Sequence, residues 1–96
     1  MKNAIIVHGI DETKNELLEQ PNSPSNSHWL PWLQWQLIKN GILCQTPEMP
    51  NPYIADMNYD DWAEVFTRNN IDKNTILIGH SAGAGIFLMG LIWIKI

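Results

Sequence analysis

The sequence predicts an α/β fold: a three-stranded parallel sheet between layers of helix, with elements in the order β-α-β-α-β-α. Three observations lead there. Asn3–Val7 (NAIIV) and Thr75–Ile78 (TILI) are short runs with the make-up of buried strands, the first continuously apolar, as parallel strands covered on both faces require. Between them, apolar residues recur at helical spacing twice, at Leu30, Leu33 and Leu37 and at Trp62, Val65 and Phe66. Strands that alternate with helices are joined by right-handed crossovers, and this makes the sheet parallel and the architecture a three-layer α/β/α one.

The elements follow in order. The first strand, Asn3–Val7, stops at His8-Gly9. Residues Ile10–Ser27 are polar and rich in turn formers, among them Pro21, Pro24 and Asn26, and read as a long surface loop with a short helical turn around Thr13–Gln20. Loops of this kind, leaving the C-terminal end of a central strand, are where α/β proteins build their sites. Pro31 fits only the first turn of a helix, which Asn40-Gly41 closes with glycine in the left-handed position. Three tryptophans in seven residues, Trp29, Trp32 and Trp35, could form a ligand platform, but core and hinge packing is the expected role. A short strand is expected at Ile42–Thr46, and Pro47, Pro50 and Pro52 then impose an extended crossover. Asn58 is a suitable N-cap. Asp60 and Asp61 fall in the first turn, where the helix dipole favours acids, so they read as capping charge and not as a metal or catalytic pair.

Composition narrows the function. The 96 residues are 45% hydrophobic and 17% charged, the make-up of one small globular domain. Six basic against ten acidic residues give a net charge of −4 with no Lys/Arg cluster, which argues against a nucleic-acid partner. The single cysteine, Cys44, reads as a small core residue, and no metal-ligand cluster or phosphate-binding glycine loop implies a cofactor. No signal sequence is expected from the opening run. The apolar Ile86–Ile96 is far below the roughly 18–20 residues of a membrane span, so no membrane partner is expected and a reducing cytoplasm fits best.

Gly79-His80-Ser81-Ala82-Gly83 carries the chemistry. It is a G-x-S-x-G pattern between a strand and a helix, the context in which a serine is lifted clear of the sheet on a tight turn. Side chains two residues before and after the serine would collide there, hence Gly79 and Gly83. The turn also aims the first amides of the next helix at negative charge forming beside Ser81.

Val7-His8-Gly9, His28-Trp29 with Pro31-Trp32-Leu33, Met49-Pro50-Asn51-Pro52, Trp62 and Ile78-Gly79-His80-Ser81-Ala82-Gly83 share an order and spacing. In these pieces the chain resembles the small serine hydrolases of the retinoblastoma-binding-protein-9-like and YdeN-like group, within the α/β-hydrolase fold. The resemblance implies that residues 1–96 form the N-terminal half of a single domain, a truncated α/β-hydrolase fold with its first strand central. It implies a hydrolase acting on a small ester, amide or similar acyl substrate. Ser81 would be the nucleophile, and the amides of Ala82, Gly9 and Ile10 would form the oxyanion hole.

In that fold the acid and base of the triad follow the serine in the chain. Ala82–Ile96 contains no Asp, Glu or His, so the triad Asp and His are absent from this chain and it is expected to be inactive alone. His8 is the substitute base best placed in space, although shaping the oxyanion loop is its plainer role. His80 is expected to point away from the serine, and His28 to fix the start of its helix. The alternative is a non-catalytic fragment serving as an interaction module, or a half complemented by another chain. Self-association is then expected through the unpaired strand Thr75–Ile78 or the helix Ala82–Lys95.

Overall fold

A computed structural model describes residues 2–10, 23–53 and 57–86. Three parallel strands form the sheet: β1 (Asn3–Val7), β2 (Leu43–Gln45) and β3 (Thr75–Gly79), in spatial order β2-β1-β3. The first strand is central. Asn3 pairs with Leu43 on one side and Thr75 on the other, and the longer β1–β3 ladder runs on to Val7 opposite Gly79. That last pair brings His8-Gly9 and His80-Ser81 out of the sheet side by side.

Successive residues of β1 point to opposite faces, and each face has its own core. Ala4 and Ile6 pack with Leu30 and Cys44, flanked by Leu33, Leu37, Ile42 and Ile78, beneath helix α1 (Leu30–Lys39). Ile5 and Val7 pack with Met49, Trp62, Phe66 and Ile86 beneath helix α2 (Tyr59–Thr67) and the helical residues 82–86. This is the three-layer α/β/α arrangement. Burial pushes the Cys44 thiol up from its ordinary range, as a core cysteine requires.

The helix boundaries follow the sequence signals. At the end of α1, Gly41 adopts φ +79, its N–H donates to Ile38 O, and the Ile42 N–H donates to Leu37 O. These paired bonds satisfy two end carbonyls. At the start of α2, the Asn58 side chain accepts from the Asp60 and Asp61 amides at 2.8 and 3.4 Å, so both aspartates belong to the cap. The expected strand Ile42–Thr46 is shorter, at Leu43–Gln45. A 3-10 turn at Pro24–Asn26 precedes α1. The expected turn at Thr13–Gln20 and the expected helix beyond residue 86 lie outside the described residues. Among those described, no helix is long and apolar enough to cross a membrane.

The tryptophans of α1 depart from expectation. Trp32 and Trp35 are 64% and 57% exposed and Trp29 is 37% exposed, so they are not core residues. Helical spacing explains this: with Leu30, Leu33 and Leu37 turned to the sheet, positions 32 and 35 fall on the opposite face. There the Lys39 ammonium sits 5.8 Å from the Trp35 ring.

Candidate active site

Ser81 stands where β3 gives way to helix, and its φ of +56 is one that a non-glycine residue rarely adopts. The turn is held by hydrogen bonds at 3.0 Å from His80 N–H to Val7 O, Gly83 N–H to His80 O and Ala84 N–H to Ser81 O. Strain of this kind persists where the surroundings over-determine it. Gly83 shows how close those surroundings are. A Cβ there would overlap Val7 O and stand 2.6 Å from His8 O, so the helix start lies directly on the end of β1. A Cβ at Gly9 would lie 3.3 Å from the Ser81 Cβ, which places the loop after β1 against the serine. Gly79, the first glycine of the pattern, ends β3 opposite Val7.

A cavity of about 160 Å³ opens at this junction, lined by His8, Gly9, Ile10, Pro24, His28, Leu30, His80 and Ser81. All three histidines of the chain reach it. The His80 ring lies at the rim, edge-on to Trp29 at 5.6 Å and 6.4 Å from His28. It therefore faces the same cavity as Ser81, contrary to the expectation that it points away. His28 takes φ +58 and lines the cavity, while the start of α1 carries no side-chain cap. Among the described residues, no histidine nitrogen bonds the Ser81 hydroxyl, and the amides of Gly9 and Ile10 donate to no protein group.

His8 is buried, and its two ring nitrogens are engaged elsewhere. Nδ1 lies 2.6 Å from Gly9 O, and the Met49 N–H donates to Nε2 at 2.9 Å. The amide donor makes Nε2 an acceptor, so Nδ1 carries the proton and donates it to Gly9 O. In this geometry neither nitrogen is left for Ser81, and the ring serves the loop. It packs edge-on against Trp62 at 5.4 Å, whose Nε1–H donates to Pro50 O at 2.7 Å.

Sequence reasoning gave no role to Glu48. Its carboxylate lies 3.0 Å from His8 Nε2 and accepts from the Ser25 hydroxyl at 2.9 Å and the Ser25 amide at 3.2 Å. It thus bridges the end of β1 to the turn that carries Pro24. No local signal joins positions 25 and 48. They meet only because the loop after β1 and the loop after β2 leave the same end of the sheet.

No family model matches the chain. It is similar to the Bacillus subtilis (strain 168) protein described as "Putative hydrolase YdeN", 28% identical over 89 residues, which cover 91% of this chain and 40% of that protein. Its fold matches the crystal structure of the B. subtilis ydeN gene product with a TM-score of 0.73 and 28% identity, over 95% of this chain and 43% of that one. The chain therefore spans about two fifths of the length of the relative it matches.

Proposed function

The chain is YdeN-like, with the three-stranded parallel core of an α/β hydrolase, and from that premise we propose that it carries the nucleophile of a serine hydrolase. The observation that carries this reading is the position of Ser81: on a strained turn, at a cavity, beside a loop whose amides are unoccupied among the described residues. Ser81 Oγ attacks the acyl carbon of a small ester or amide. The carbonyl oxygen gains negative charge and is held by the amides of Ala82 at the helix start and of Gly9 and Ile10. The cavity volume suits a small acyl group.

The hydroxyl proton needs a base, and His8 does not supply it because Nδ1 is committed to Gly9 O and Nε2 to the Met49 N–H. Among the described residues no base bonds the Ser81 hydroxyl, and on this reading the 96 residues alone turn over substrate poorly or not at all.

A fluorophosphonate probe read by intact mass tests the assignment of Ser81. Oγ bonds to phosphorus, fluoride leaves, and the proton passes to solvent or buffer. One slow adduct is expected on the native chain, and none on Ser81→Ala. A wild-type chain that stays unmodified, or an adduct that persists in the variant, would overturn the assignment.

A further inference from the structure

We propose that Glu48 is a positioning residue for the oxyanion loop, acting through His8, and that it fixes this loop to the turn that brings Pro24 to the same cavity. The proposal rests on Ser81 being the nucleophile only for its consequence in catalysis. The clamp itself stands on the geometry.

One end of the clamp is the peptide between Gly9 and Ile10. His8 Nδ1 holds its carbonyl at 2.6 Å, and the chain has no cis peptide bond among the described residues. In a trans peptide the C=O and N–H point in opposite directions. Holding Gly9 O against the imidazole therefore turns the Ile10 N–H away from His8, and Ile10 and Ser81 line one cavity. The orientation of the imidazole thus sets the direction of an oxyanion donor.

The other end is Glu48, which acts at the far nitrogen of the ring. Nε2 faces a donor, the Met49 N–H at 2.9 Å, and an acceptor, Glu48 Oε2 at 3.0 Å. The neutral ring accepts from Met49, and the imidazolium donates to Glu48. Nδ1–H points at Gly9 O, and the ring keeps that aim only while its far edge is held between Met49 and Glu48. The same carboxylate holds Ser25 through its hydroxyl and its amide. Ser25 follows Pro24, a lining residue of the cavity, inside a turn closed by Asn26 N–H to Ser23 O at 2.9 Å. One side chain thereby ties the oxyanion loop to the turn that carries Pro24. It is 43% exposed, so it acts by geometry more than by charge.

The test uses the whole 96-residue chain, isotope-labelled, with Ile10 amide exchange and the Gly9 carbonyl shift followed by NMR and adduct formation at Ser81 followed by mass. Glu48→Ala is expected to speed Ile10 exchange about tenfold and to slow adduct formation by on the order of tenfold or more. Glu48→Asp keeps the charge, cannot span both partners, and should lose as much. Glu48→Gln should restore both readouts to within about threefold, because its carbonyl oxygen can take the place of Oε2, accepting from the Ser25 amide beside Nε2, while its NH2 donates to the Ser25 hydroxyl. An Ile10 exchange rate and Gly9 shift unchanged in Glu48→Asp, or a Gln variant as impaired as Ala, would overturn the proposal. If the wild-type chain forms no adduct, the nucleophile reading fails, and the exchange comparison still decides the role of Glu48.

Discussion

Trp62→Ala is expected to lower the stability of the chain by about 3–5 kcal/mol, measured by urea unfolding. Trp62 is the largest fully buried side chain, at the centre of the core that joins Ile5 and Val7 to Met49, Phe66 and Ile86. Truncation removes the whole ring system from that core, and no neighbouring helix can close the space without leaving the sheet. It also leaves Pro50 O without its 2.7 Å donor and His8 without the ring it packs against. Since His8 aims the loop after β1, the effect should reach the site. Ile10 exchange should rise in Trp62→Ala under conditions where the sheet amides stay protected. Trp62→Phe keeps most of the packing but not the indole N–H, and should cost about 1–3 kcal/mol. A tolerant response to both substitutions would show that this core does not hold the fold.

Gly83→Ala is expected to cost about 3 kcal/mol, although alanine is the better helix former. A methyl at this position overlaps Val7 O and approaches His8 O at 2.6 Å. Those atoms are main chain of the central strand, so they cannot turn aside as a side chain would. The helix start would have to back away from β1, carrying Ser81 and the Ala82 amide away from Gly9. Stability and adduct formation should therefore fall together in Gly83→Ala. In Ala84→Gly, one position on and exposed, only the smaller helix-propensity cost of about 1 kcal/mol should appear. Equal effects of the two substitutions would contradict the contact between elbow and strand.

The strands and helices were legible because each carries a local signal. β1 is an unbroken apolar run, α1 has proline in its first turn and Gly41 after its end, and α2 has Asn58 ahead of two aspartates. The turn at Ser81 was legible for the same reason, since glycine spacing reports a steric need. What escaped was set by contacts between distant segments. Trp32 and Trp35 look like core by composition, yet the leucine stripe decides which face of α1 is buried, and they fall outside it. His80 was assigned a direction from the turn alone, whereas its ring lies against Trp29 and His28, residues distant in the sequence. Glu48 sits in a proline-rich crossover that reads as connection, and its partners lie 23 and 40 residues earlier in the chain.

The central claim is that these residues supply a nucleophile and its oxyanion amides but not the base. The rate of phosphonyl adduct formation at Ser81, followed by intact mass against added imidazole, tests it most directly. If the claim holds, the rate without imidazole is low and climbs in proportion to the free base, because the added imidazole takes the proton of a hydroxyl that no described histidine bonds. A rate already fast and indifferent to imidazole would mean that the chain holds its own base. Silence at Ser81 at every imidazole concentration would mean that the strained turn is not a nucleophile's seat.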